Sequence, residues 1–200
     1  MNKIIKDAGI LCVITLVAGL LLGSVYQITK KPRQEQEQKK KNQAYQTVFS
    51  EATDFEKNTF DEEKVKSYLD EKGFSSNEVS VDEVAIAKKQ EKLGYVITVT
   101  EHEGYGGDIT FTVGIKNDGT ICGVSVLTIN ETAGLGMKAK ETSFLDQFKN
   151  KNVKEFTYTK NGASKENEID AISGATITTK AMTKGVNAAI ACFQYFGKES

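Results

Sequence analysis

Between Ala8 and Ile28 the chain carries no charge, and nearly every position is apolar or small. About 21 residues at ~1.5 Å rise cover the hydrocarbon thickness of a bilayer, so the pattern predicts a transmembrane helix over 8–29 after a short tail, 1–7. A cleaved signal peptide is the alternative. The apolar run exceeds a typical signal core, and no small-x-small cleavage site follows it, which favours an anchor. Ile10-Leu11 ahead of Cys12 also lacks the small residue that a lipoprotein needs there.

Polarity changes abruptly after Thr29, and residues 30–48 read as a solvated stalk. Gln34 to Gln43 combine high helix propensity with no apolar face. Ala44, Tyr45, Val48 and Phe49 then recur at i, i+1, i+4 and i+5, the spacing of a helix end docking onto a domain, which is assigned to 49–200.

Inside that domain, Val65, Tyr68 and Leu69 make the buried stripe of a helix over Glu62 to Lys72, with Asp61 as cap and Gly73 as stop. Strand-like alternation marks Val79–Ala87 and Gly94–Thr100, and two further strands fall at Ile109–Ile115 and Thr120–Leu127. Asn117-Asp118-Gly119 between the last two supplies residues suited to a tight hairpin turn. Phe144, Leu145 and Phe148 mark a short helix, and Glu155–Thr159 a further strand. Met182, Val186, Ala189, Ile190 and Phe193 form the core face of a C-terminal helix. The fold class is α+β: an antiparallel sheet with packed helices, preceded by a single membrane helix.

Composition narrows the chemistry. Two hundred residues suffice for one ordinary domain and an appendage. A net charge of -1 without an arginine-rich patch argues against nucleic acid as a partner. Cys12, Cys122 and Cys192 are widely spaced and read as free thiols, and His102 is the only histidine. That leaves no ligand set for zinc or an iron–sulfur cluster, so redox chemistry would require an organic cofactor.

Candidate chemistry concentrates in Asp170 to Thr179, where small and hydroxyl residues meet the start of the C-terminal helix. Gly174 permits close backbone approach, and free amides at a helix start attract an anion such as phosphate. A plain capped helix start is the alternative, since Ser and Thr are ordinary caps. Two other segments stand out, Gly104-Tyr105-Gly106-Gly107 and Glu131-Thr132-Ala133-Gly134-Leu135-Gly136; each alone is compatible with a simple connecting loop.

Together these segments carry a resemblance. Ser173-Gly174-Ala175-Thr176-Ile177-Thr178 matches the Ser-Gly-Ala-Thr-x-Thr signature of the FMN-binding domain family. The 131–136 loop resembles that family's Glu-Thr-Pro-Gly-Leu-Gly, with Ala133 in the proline position, a change that removes a fixed φ. With the anchor, the stalk and the glycine cluster in the expected order, the chain resembles the G subunit of Rnf-type ion-translocating electron-transport complexes. It is also similar to the related C subunit of sodium-pumping NADH:quinone reductase.

The resemblance implies FMN joined covalently to Thr178 by a flavin transferase, through a phosphodiester. Thr179 is the neighbouring hydroxyl that competes for this assignment. Ser173, Gly174, Ala175, Thr176, Glu131, Thr132, Gly134, Leu135 and Gly136 become FMN contacts, and Asp170 a residue recognised by the transferase. The chain would be an electron-transfer subunit of a ferredoxin:NAD⁺ oxidoreductase complex, catalytically incomplete alone, with the other subunits as partners. Other extracytoplasmic FMN carriers and a non-redox, membrane-anchored assembly module are the competing readings. His102 reads as an exposed strand-end residue, with a proton-donor role near the flavin as the alternative.

Orientation is contested within the sequence itself. Lys30, Lys31, Arg33 and Lys39-Lys40-Lys41 outnumber Lys3 and Lys6, which by the positive-inside rule places the domain in the cytoplasm. The resemblance implies the reverse, a bacterial inner-membrane protein with its flavin domain outside, and this is the side adopted.

Overall fold

A computed structural model describes residues 2–198. The first residue of the expected tail and the last two of the expected domain lie outside the described residues. The chain divides into two units, Met1–Lys41 and Asn42–Ser200.

The described residues of the first unit are helical, as part of α1, which runs Asn2–Val48 with Pro32 inside it. Anchor and stalk are therefore one helix. Pro32 cannot donate to the carbonyl of Ile28, and a proline inside a helix costs about 3 kcal/mol, which the flanking turns absorb without a break. The helix is long and apolar enough to cross a membrane, and Leu22 and Ile28 are exposed along it. Its hydroxyls turn inward: Thr15 donates to Leu11 C=O at 3.1 Å, Ser24 to Leu20 at 2.8 Å and Thr29 to Val25 at 2.8 Å. Such back-bonding satisfies these three hydroxyls within the helix, as an apolar setting requires.

The second unit is built on a five-stranded antiparallel meander: β1 (Asp54–Asn58), β2 (Val79–Lys88), β3 (Lys92–Glu101), β4 (Ile109–Lys116) and β5 (Ile121–Thr128), in sequential order. Of the turn residues between β4 and β5, Gly119 takes the positive φ, +88°, while Asp118 Oδ1 accepts the Thr120 amide at 2.8 Å.

Alternation divides β3 between two cores. Tyr95, Ile97 and Val99 face α4 (Thr176–Lys198), which buries Met182, Val186, Ala189 and Ile190 against the sheet, with α2 (Glu62–Glu71) beside it. Val96 faces the opposite way, and joins Ala85 and Ala87 in covering Tyr45, Val48 and Phe49 at the end of α1. Close approach there depends on Gly114, whose Cβ would stand 2.7 Å from the carbonyl oxygen of Val48.

Between β5 and α4 the chain makes a 3₁₀ turn at Gly136–Lys140, the short helix α3 at Thr142–Leu145, and two brief strands, β6 (Thr157–Thr159) and β7 (Glu168–Asp170). These two pair in parallel, as a separate ribbon rather than as an extension of the main sheet.

Candidate functional site

The start of α4 forms one wall of a cleft of about 480 Å³. Gly174, Ala175, Thr176, Ile177 and Thr178 line it on that side; Glu131, Thr132, Leu135 and Gly136 line it on another, and Tyr105 completes it. Three segments widely separated in the chain thus supply one concave surface. A smaller cavity of about 250 Å³ between α2 and β2 includes none of them.

Helix geometry explains what the first wall offers. Thr179 N–H donates to Ala175 C=O at 3.0 Å, the first α-helical bond, and Ala175 N–H is taken by Ile172 C=O at 2.9 Å. The amides of residues 176–178 have no intrahelical acceptor, and they belong to residues that line the cleft. Gly174, at φ +75°, turns the chain into this helix.

The two adjacent threonines are in different situations. Thr179 Oγ1 accepts the Ile172 amide at 3.0 Å and donates to Ala175 C=O at 2.9 Å, so it is fully engaged in fixing the turn before α4. Thr178 lines the cleft. A Cβ on Gly136 would stand 2.7 Å from Thr178 Oγ1 and 2.6 Å from Glu131 Oε2, so both oxygens border the space left by the missing side chain.

Glu131 joins the other two segments. Its Oε1 accepts the Tyr105 amide at 2.9 Å, which ties the glycine cluster to the 131–136 loop. Its Oε2 is buried with no hydrogen-bond partner among the described residues. The loop itself is closed by Thr132 C=O, which accepts Leu135 N–H at 3.1 Å and Met137 N–H at 3.2 Å, so the turn is pinned with alanine at 133. Tyr105, Leu135 and Ile177 remain 69%, 41% and 51% exposed, an apolar rim around a polar floor.

Several expected residues lie elsewhere. Ser173 and Gly134 are exposed and do not line the cleft. Asp170, also outside it, accepts the Ala163 amide on Oδ1 at 2.5 Å and donates its own amide to Gln147 Oε1 at 2.6 Å, closing the loop between β6 and β7. His102 pairs with Asp108 at 3.0 Å, away from the cleft lining. Burial pushes the Cys192 thiol up to about 12 and the Cys122 thiol to about 11, so neither is a reactive thiolate. Sequence reasoning did not single out Tyr105 or Ile177 as lining residues, although both sit within the motifs it quoted.

Comparison with known proteins now bears on this geometry. The FMN-binding domain family matches residues 104–191, which contain all three cleft segments, and the RnfG N-terminal region matches residues 1–48. The chain is 38% identical, over 98% of its length and 95% of the relative's, to the G subunit of the Na⁺-translocating ferredoxin:NAD⁺ oxidoreductase complex of Acetobacterium woodii. It belongs to the family of Rnf G subunits. Another member, the G subunit of the proton-translocating ferredoxin:NAD⁺ oxidoreductase complex of Clostridium ljungdahlii, is 31% identical over 94% of this chain and 91% of its own. The fold of this Rnf G-subunit family member is shared with Shewanella oneidensis NqrC (TM-score 0.50, 19% identity, 70% of this chain and 73% of that one). It is shared also with the C subunit of the Na⁺-translocating NADH-quinone reductase from Parabacteroides distasonis (TM-score 0.51, 24% identity, 59% and 63%).

Proposed function

We propose that this chain is the membrane-anchored electron carrier of an Rnf-type ferredoxin:NAD⁺ oxidoreductase complex, holding FMN through a phosphodiester on Thr178. The observation that carries the reading is the convergence of the three motif segments on one cleft that contains the Thr178 hydroxyl while Thr179 is engaged in the fold.

The residues present suit the cofactor. The amides at 176–178 favour an anionic phosphate, and the partial positive charge of a 23-residue helix adds to them. Gly136 keeps the floor free of a side chain next to Thr178. Tyr105, Leu135 and Ile177 offer apolar area to a planar ring. FMN supplies reversible uptake and release of electrons; the chain's own part is to bind, orient and shield it.

Around this site the remaining assignments follow the family. α1 crosses the inner membrane and the flavin domain lies on the extracytoplasmic side, where a flavin transferase loads it and the other subunits of the complex exchange electrons with it. Sequence similarity over nearly the full chain to G subunits of ferredoxin:NAD⁺ complexes favours this complex over the quinone reductase.

Intact-mass measurement tests the site. Full-length chain co-expressed with a flavin transferase is expected to gain one FMN adduct that is lost in Thr178→Ala. An adduct surviving in that variant refutes the assignment to Thr178, and its absence from the unaltered chain supports a non-redox module instead. A reporter fused after Ser200 tests orientation.

A further inference from the structure

Glu131 presents an inconsistency if it stays ionised beside a phosphate. The residue is 9% exposed, with Oε1 occupied by the Tyr105 amide at 2.9 Å and Oε2 buried and unpartnered among the described residues. Oε2 and Thr178 Oγ1 lie 2.6 and 2.7 Å from the same point, the Cβ position of Gly136. Esterifying Oγ1 with an anionic phosphate therefore brings a second negative charge next to a buried carboxylate. No Lys, Arg or His lines the cleft to separate the two, and the one other titratable group lining it is the Tyr105 phenol. A like charge this close disfavours the ionised form of a carboxylate whose Oε2 is already buried without a partner.

We propose that Glu131 takes up a proton from solvent when Thr178 is flavinylated, and as a neutral acid donates a hydrogen bond from Oε2 to the phosphate. The inference rests on the Thr178 reading. A neutral acid resolves both observations together. Oε1 continues to accept from Tyr105, and Oε2, an acceptor without a donor in the ionised group, becomes a donor facing an acceptor. Glu131 is thereby a phosphate-positioning residue, complementing the helix amides.

The test uses full-length chain in detergent, prepared with and without the transferase, with glutamate side-chain carboxyls labelled by carbon-13. Infrared spectra at neutral pH are expected to show a label-sensitive protonated-carboxyl band in the flavinylated chain that is missing from the unflavinylated one. Flavin carbonyls do not respond to the label, and the buried Glu101 contributes equally to both samples. Glu131→Gln retains the Oε1 acceptor, and is expected to carry the adduct and lose the band. If that variant does not fold, the two unaltered samples decide the matter alone. A sample with a verified Thr178 adduct and no new glutamate band overturns this inference and leaves the flavin assignment standing. Failure to find an adduct on Thr178 overturns both.

Discussion

Asn187 holds the main chain of Phe156 at both of its polar atoms: Nδ2 donates to the Phe156 carbonyl at 2.9 Å, and Oδ1 accepts its amide at 2.8 Å. This reciprocal pair fastens the irregular segment before β6 to the middle of α4, which the sheet in turn holds in place. Asn187→Ala would orphan two buried backbone groups at ~1–3 kcal/mol each, so the expected loss is about 3 kcal/mol. Thermal unfolding followed by circular dichroism checks this, with a midpoint about 6–12 °C lower at ~2–4 °C per kcal/mol.

Thr178 and Thr179 are expected to separate cleanly by mutation. Thr179→Val removes the acceptor of the Ile172 amide and should lower stability by about 1–3 kcal/mol while the FMN adduct remains. Thr178→Ala should do the reverse, abolishing the adduct with stability little changed. Denaturant titration alongside intact mass measures both quantities on the same samples, and an adduct lost in Thr179→Val would reverse the assignment.

The site was legible in the sequence as strings, and illegible as contacts. Glycines and hydroxyls at 104–107, 131–136 and 173–178 could be read off, because turn chemistry and helix starts leave local signatures. That Glu131 reaches the Tyr105 amide depends on where β3, β4 and β5 put their ends, which no local pattern encodes. Asp170 shows the same limit: the resemblance implies recognition by the transferase, and no local pattern encodes that its carboxylate also accepts the Ala163 amide. Strands β2 to β5 and the face of α4 were readable from their apolar patterning, whereas β1, a polar five-residue edge strand, was not. The parallel pairing of β6 with β7 was not, since each is three residues long and has no pattern of its own. The change of polarity after Thr29 marks where anchor and stalk divide, while the backbone continues through it and through Pro32 as one helix, α1.

Gly136→Ala should close the cleft floor. The new methyl would meet Glu131 Oε2, Thr178 Oγ1 and Glu131 Cβ within 2.6 to 2.8 Å, and relief requires displacing the loop or the first turn of α4. Overpacking of this kind costs about 1–3 kcal/mol. The measurable outcome is a lower yield of flavin adduct under conditions that load the unaltered chain fully.

Glu101 gives the fold a pH dependence of definite sign. It is fully buried at the end of β3, with Oε2 on the Glu103 amide at 2.8 Å, and burial raises its pKa from the ordinary 4.5 despite the nearby Lys184 ammonium. The folded state therefore binds this proton more tightly than the unfolded chain does. The stabilisation is complete below about 4.5 and is lost as pH climbs through the folded value. Denaturation free energies from pH 4 upward should show that decline, and Glu101→Gln should flatten it; an unchanged slope in the variant would assign the titration to another group.

The cleft draws its walls from Tyr105, Glu131 and Thr178, so closing it joins parts of the chain some seventy residues apart. Bringing together segments that far apart costs closure entropy, which the sheet carrying their ends offsets. On the Thr178 reading, attachment asks for one hydroxyl, whereas shielding the flavin asks for all three segments in their folded places.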